Sequence, residues 1–276
     1  PYALLTYQTA YLKANYPLEF FAATMTYDMH NTDKLTLYRQ DLLRSGISLF
    51  PPDVNYSQAV FSVQNNGIRY GLAAIKNVGL QAMESLVLER EHNGTFRNLA
   101  DFIARLDGKS VNKRQLENLI AAGALDSLLQ PEQLTRRQVF ESVDYLLGKN
   151  HLKRQETSNK QALLFESSQQ IQANLTLPKV QAWGLLESLQ KEFDALGFYQ
   201  SAHPLDIYKE SLETLNLTNS VDLAAKANDA LSAVNMVGIV LFKQERTSKN
   251  GQKFAFVGLS DTTGVYEIAL FSEIYQ

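Results

Sequence analysis

The sequence predicts a mainly α-helical chain that carries a small β hairpin and ends in a partial β-barrel. Three observations predict it. Apolar residues recur near the 3.6-residue period from Tyr2 to about Gly46, and again from Gly71 to about Leu147. Between these stretches, "AVFSVQNNGIRYGL" alternates apolar and polar residues around an Asn66-Gly67 pair, the usual hairpin signal. Finally, "VNMVGIVLFKQER", "KFAFVGLSD" and "VYEIALFSE" read as three strands joined by "TSKNGQ" and "DTTG" turns.

Taken in order, Leu4, Leu5, Ala10 and Leu12 mark the first helix, and Pro17 can open the second at its first turn. Asn31 or Thr32 can cap a third helix through Leu35, Tyr38, Leu42 and Leu43, which Gly46 ends. "LFPPDVNYS" is extended, because proline disfavours helix at the residue before it. From Gly71 the chain is helical in short pieces, cut at Asn77–Gly79, Gly94, Gly108 and Gly123. Residues 149–180 are polar without a sustained period and read as a linker. A further helical stretch covers about Ala182–Tyr199 and is broken by "SAHPLD". The boundaries expected from this are 1–70, 71–148, 149–180, 181–231 and 232–276.

Composition narrows the function classes. The 276 residues are 45% hydrophobic and 20% charged, an ordinary globular balance with room for about two domains. The absence of cysteine excludes a disulfide framework and a thiolate metal site, and it fits a reducing cytoplasm. Apolar runs fall far short of the ~20 residues of a membrane span, and no charged, apolar leader is present. Net charge is −3, but residues 161–232 alone hold nine acidic and four basic side chains. The flanking segments are therefore free to present local basic patches. The four histidines show no ligand spacing, and neither a G-x-x-x-x-G-K-[ST] loop nor a two-metal carboxylate pair stands out, so no catalytic or metal residue is assigned. A start at Pro1, inside a helical pattern, and a stop at Gln276, with sheet edges unpaired, lead us to expect a fragment.

Four stretches carry candidate sites. "IKNVG" (Ile75–Gly79) is a tight turn feeding a helix. It is either an ordinary helix–helix turn or a hairpin that aims backbone N–H groups at a phosphate, with Lys76 beside it. Close approach needs small residues or residues tolerant of positive φ, here Asn77 and Gly79. In "DGKSVNKRQLENLIAAGALD", Ser110 or Asn112 can cap a helix whose start is crowded by Lys109, Lys113 and Arg114. Basic residues there oppose the helix dipole, so the segment is either a solvated charged face or an anion site. In the β region Lys243, Arg246, Lys249 and Lys253 accompany Phe254 and Phe256, which share a strand face. That pattern suits an OB-fold gripping single-stranded nucleic acid, and equally an ordinary barrel core. Lastly, "QALLF" (Gln161–Phe165) sets a compact apolar knot in the polar linker.

The order of these segments resembles the alpha subunit of bacterial DNA polymerase III, the C-family replicative polymerase. "YALLTYQTAYLKANYPLEFFAATMT" looks like the end of its fingers domain and "GISLFPPDVNYS" like the link that follows. "RYGLAAIKNVG" with "FRNLADFIARLDGKSVNKRQLENLIAAGALD" looks like its tandem helix-hairpin-helix region, with Asn77 where the family usually has glycine. "LGFYQSAHPLDIY" is similar to the connector before the OB domain. The resemblance implies that Lys76, Asn77, Gly79, Lys109, Asn112, Lys113 and Arg114 meet duplex DNA without reading its sequence. It implies that Gln161, Leu163, Leu164 and Phe165 bind the sliding clamp, the beta subunit, and that the OB strands meet single-stranded template. The catalytic aspartates, the dNTP-dependent extension of a primer with Mg²⁺ and the contacts to other replisome subunits would belong to the whole bacterial, cytoplasmic polypeptide, away from any membrane. An error-prone paralogue and a non-catalytic DNA-binding adaptor are the alternatives.

Overall fold

The structure, a computed structural model, describes residues 2–107, 110–148, 177–226, 233–248 and 250–274. They fall into two units, residues 1–200 and residues 201–276. The division lies inside the segment read as a connector over 181–231.

In the first unit, helices start and stop where capping chemistry directs. α1 (Tyr2–Asn15) gives way to α2 (Pro17–Tyr27) with proline at the first helical position, where no N–H is required. Asn31 caps α3 (Thr32–Arg44), its side-chain oxygen accepting the Lys34 N–H at 3.1 Å. Gly46 then takes φ +66°, and the Gly46 and Ile47 N–H groups donate to the Leu43 and Leu42 carbonyls at 3.1 and 2.9 Å. This Schellman ending needs a residue at ease in the left-handed region.

Three short strands follow, β1 (Leu49–Phe50), β2 (Ser62–Gln64) and β3 (Gly67–Arg69), in the order β1-β3-β2. β2 and β3 form the expected antiparallel hairpin, and β1 adds to β3 in parallel. The turn lies one residue earlier than the Asn-Gly reading: Asn65 and Asn66 take φ +46° and +58°, and Gly67 already pairs with Gln64. Two left-handed central residues make a type I′ turn, which asparagine tolerates. Gly67 is needed in the strand instead, since a Cβ there would sit 2.6 Å from the Ser48 carbonyl oxygen.

α4 (Leu80–Asn93), α5 (Leu99–Arg105), α6 (Lys113–Ala121), α7 (Asp126–Leu129) and α8 (Arg136–Glu141) pack around one apolar core. Tyr70, Met83, Phe102, Leu116 and Leu119 are among its fully buried members. Arg105 staples the α4–α5 corner, donating to Glu89 Oε1 at 3.0 Å and to the Gly94 carbonyl at 2.8 Å. The helix Leu185–Leu196, shorter than the Ala182–Tyr199 expectation, ends on left-handed Gly197 and adds Ala195 and Leu196 to the same core.

The second unit holds the short helices Pro204–Tyr208 (3₁₀), Lys209–Glu213 and Ser220–Lys226 and an antiparallel sheet. β4 (Ile239–Thr247), β5 (Lys253–Ser260) and β6 (Val265–Leu270) lie in chain order, with a bulge between Val240 and Phe242. A bulged, three-stranded meander is a partial barrel of the OB type.

Candidate nucleic-acid interface

Two hairpin tips are built alike. In the first, Ile75 and Val78 are buried anchors while Lys76 and Asn77 stand between them, half-buried and exposed. Asn77 takes φ +63°, the conformation its short amide side chain tolerates. Gly79 then opens α4 in an extended conformation, with no side-chain cap and no acidic residue in the first turn. In the second, Leu106 and Val111 are the buried anchors, and the Ser110 hydroxyl closes the loop onto Asp107 Oδ2 at 2.6 Å. Asn112, rather than Ser110, caps α6. It shares a reciprocal capping box with Gln115, at 3.0 Å to the Gln115 N–H and 2.9 Å from its own N–H to Gln115 Oε1.

The fold brings these two tips together. Asn77 Nδ2 donates to Asn118 Oδ1 at 3.5 Å. A Cβ on Gly79 would lie 3.3 Å from Gln115 Nε2, so the end of the Gln115 side chain packs close to the start of α4. Lys76, Asn77, Gly79, Asn112, Lys113 and Arg114 thus belong to one region of the first unit. Neither α4 nor α6 has an acidic residue of its own in its first turn; the α4 start has no side-chain cap, whereas the α6 start is capped by Asn112.

Around this region the cations differ in character. Arg114 is exposed. Lys113 donates to Asp144 Oδ2 at 2.6 Å, a hydrogen bond that raises its pKa above the ordinary lysine value. Lys76 is held from behind: its N–H donates to the Ala195 carbonyl at 2.9 Å and its Nζ lies 5.9 Å from the Phe193 ring centre. The helix carrying these partners is fixed by buried Glu192, which accepts the Gln200 N–H at 2.6 Å and pairs with Arg136 at 3.7 Å. Arg136 occupies space that only glycine can leave at position 123, where φ is +78°. Burial alone would lower the Arg136 pKa, but its bond to Asp126 (2.8 Å) and the charge of Glu192 outweigh that and raise it.

Gln115 and Asn118 were not among the candidates from sequence. The N-x-x-Q spacing from Asn112 marks Gln115 as a capping partner, but the reach of both residues to the first hairpin is tertiary and leaves no local signal. Lys109 and Lys249 lie outside the described residues, as do Gln161, Leu163, Leu164 and Phe165.

On the β sheet the candidate residues divide between two faces. Arg246 pairs across the ladder with Phe254, and its guanidinium lies 5.6 Å from the Phe256 ring centre. Phe254 and Phe256 meet edge to face at 5.6 Å. Lys243 and Lys253 fall on the opposite face by strand alternation, and Lys243 pairs with Glu245 at 2.8 Å. The sheet therefore assembles one basic-aromatic cluster, Arg246 with Phe254 and Phe256, rather than a single surface of all the candidates.

Among the described residues no group of three or more His, Asp or Glu could hold a metal ion. No helix among them is long and apolar enough to cross a membrane.

Comparison with known proteins agrees with this geometry. The family model described as a helix-hairpin-helix motif matches residues 46–139, which span both tips. A DNA polymerase III subunit alpha of Caulobacter vibrioides is 43% identical over 267 residues, covering 97% of this chain and 23% of the relative. Its counterpart in Borreliella burgdorferi is 38% identical over 281 residues, covering 100% of this chain and 24% of the relative. This chain matches, over nearly its whole length, a segment of the DNA polymerase III alpha subunits. The Thermus aquaticus member is 36% identical over 278 residues, again covering the whole of this chain and 22% of that protein. The chain thus spans about a quarter of the length of the curated relatives it matches. The paired tips are a helix-hairpin-helix region and the bulged sheet is part of an OB-type fold.

Proposed function

We propose that this chain grips duplex DNA through its sugar–phosphate backbone, as the duplex-holding part of a bacterial, cytoplasmic DNA-directed DNA polymerase. The observation that carries this reading is the pairing of two hairpin tips on one region. Lys76 and Asn77 on the first hairpin and Lys113 and Arg114 at the start of α6 belong to one region, joined by the Asn77–Asn118 contact, and neither helix has an acidic residue of its own in its first turn. Lys109 belongs to the same set by sequence. Backbone N–H groups and lysine or arginine at such positions bind phosphate without reading bases. The whole polypeptide would extend a primer with dNTPs and Mg²⁺, which carboxylates elsewhere in it would hold. The 71–148 segment would meet the duplex, and the sheet of 232–276 would meet single-stranded template through Arg246, Phe254 and Phe256.

The test is a salt titration of duplex binding by the chain and by its Lys76→Ala, Lys109→Ala, Lys113→Ala, Arg114→Ala quadruple variant. Each phosphate contact contributes about 0.9 to the slope of log K against log salt, so the variant should flatten that slope by roughly 3 to 4. An unchanged slope and affinity would sink the assignment.

The linker peptide "QALLF" is proposed as the tether to the sliding clamp, with Leu164 and Phe165 filling an apolar pocket and Gln161 making directional hydrogen bonds. Each buried apolar side chain contributes about 1.5–3 kcal/mol, and ordering the linker offsets part of it, which leaves a modest affinity. Calorimetric titration against the clamp should give micromolar-range binding that disappears in a Gln161→Ala, Leu164→Ala, Phe165→Ala variant. Equal binding by the two chains would remove the peptide from this role.

A further inference from the structure

We propose that Gln115 and Asn118 are positioning residues that lock the two hairpins into one phosphate-gripping unit, an inference that rests on the DNA-binding reading above. The two residues are three apart on α6 and therefore share a helix face. That face meets the first hairpin at two points. Asn118 Oδ1 accepts from Asn77 Nδ2 at 3.5 Å, while Asn118 Nδ2 donates to the Arg114 carbonyl at 2.7 Å, so both ends of the amide are engaged. Gln115 Oε1 accepts from the Asn112 N–H at 2.9 Å, and its Nε2 end lies against Gly79.

Each residue thus touches the second hairpin or its helix with one end and the first hairpin with the other. The Asn77–Asn118 contact spans 41 residues of chain, and it constrains how the first hairpin sits against α6 and not the shape of either tip alone. Asn77 is the left-handed residue of the first tip, and a side-chain bond there fixes the residue whose φ sets the direction of the Lys76 side chain and the α4 start. A duplex presents phosphates at fixed spacing. Two tips held rigidly can meet neighbouring phosphates with one loss of orientational freedom, whereas two loosely joined tips lose it twice.

The lock predicts coupling that a merely stabilising contact would not give. In Asn118→Ala, hydrogen exchange at the Lys76 and Val78 amides, which are hydrogen-bonded, should quicken in the free protein, and duplex affinity should fall about twofold to threefold, the weight of one long, exposed hydrogen bond. In that background Lys76→Ala should cost little, because the first tip is already displaced, whereas in the wild type it should cost its full share. Gly79→Ala is a milder second variant. Its φ of −80° suits alanine, so the added Cβ acts only by pressing on Gln115, and it should shift exchange and affinity in the same direction by less.

The measurements are exchange mass spectrometry and titration of a random-sequence duplex, on the 276-residue chain and these variants with and without Lys76→Ala. Unaltered exchange at the Lys76 and Val78 amides in both lock variants overturns the lock whatever DNA does, and so does a Lys76→Ala loss of equal size in every background. Quickened exchange in a chain whose wild type binds no duplex overturns the DNA-gripping reading, and with it the purpose given to the lock.

Discussion

The two units are held together by different forces. The helical unit is organised around an apolar core that includes residues from Phe21 to Phe198. Among its described residues the β unit buries Pro204, Leu205, Ala255, Val257 and Gly258 together with the polar Thr218, Ser260 and Asp261. Asp261 accepts the Ser220 N–H at 2.6 Å, the Thr263 N–H and Gly264 N–H at 2.8 Å each, and the Ser220 hydroxyl at 2.8 Å. One carboxylate thus caps a helix and closes the β5–β6 turn. His203 adds a second polar tie, its Nε2 lying 2.9 Å from the Ser260 hydroxyl while Nδ1 accepts the Leu205 N–H at 3.2 Å. Apolar burial is non-directional and survives a change of pH; a carboxylate hub is directional and titrates.

The largest effect should come from the apolar side of that contrast. Phe102 is fully buried and meets Phe96 edge to face at 5.1 Å. Phe102→Ala should cost the helical unit about 3–5 kcal/mol, from lost transfer free energy and the cavity left behind. Trp183, the single tryptophan, lies in this unit against Phe140, so its fluorescence in a denaturant titration reports the loss directly. Exchange protection in β4–β6 should stay as it was. A parallel drop in both units would break the comparison.

Next comes the carboxylate hub. Asp261→Ala strands several donors at once and should cost the β unit about 2–3 kcal/mol, read as faster exchange over residues 239–270 with Trp183 unmoved. The pH dependence has a definite sign. Burial alone would raise the Asp261 pKa, but the hydrogen bonds from Thr263 and Ser220 outweigh it and hold the carboxyl below its ordinary value of 3.8. Stability contributed this way is fully present above the unfolded value and is lost as pH falls through the lower folded one. In the helical unit two acids oppose each other: burial raises Asp53, while bonds from Lys34 and Tyr38 lower Asp28. A raised carboxyl works the other way, favouring the folded state as pH falls. Acid should therefore open the β unit first, and an Asp261→Asn variant should narrow the gap.

Intermediate in size is the cap on α6. Asn112→Ala removes the side-chain half of the capping box, while the backbone N–H of residue 112 can still donate to Gln115 Oε1, and it should destabilise the helical unit by about 1 kcal/mol, visible in the Trp183 transition. The same substitution in the β unit's background is a control: strands β4–β6 should not respond.

The two units were also unequally legible in the sequence. Caps and stops that depend on local chemistry could be read in part: Asn31 and Asn112 are each one of the two caps that residue type offered, and Gly46 and Gly123 stop helices where residue type would place a stop. The Asn77 conformation is of this kind too. The turn at Asn65–Asn66 was read one residue late, because Gly67 answers to a strand neighbour, Ser48, that no local pattern announces. Asn118 and Gln115 escaped for the same reason, as their partners are tertiary. In the sheet, alternation separates Lys243 from Arg246 by parity, so the split between faces was present in the sequence; grouping the cations by proximity along the chain hid it. The buried Glu192 left no sign, since a carboxylate on an amphipathic helix ordinarily faces water.

The smallest effect tests the candidate interface itself. Lys113 is exposed, and its 2.6 Å bond to Asp144 is a surface pair of the sort that contributes little to folding. Asp144→Asn should therefore leave the Trp183 transition in place. Its consequence belongs to binding: the carboxylate competes with phosphate for the same ammonium, and removing it also removes a negative charge from the region a duplex would approach. Duplex affinity at low salt should rise about two- to threefold, and the gain should fade as added salt screens the exposed charges. An affinity gain that persists at high salt would mean that Asp144 acts through packing and not charge. A fall in affinity would place the DNA elsewhere than beside Lys113, and the proposal that the helical unit grips phosphate while the β unit meets bases would lose its first half.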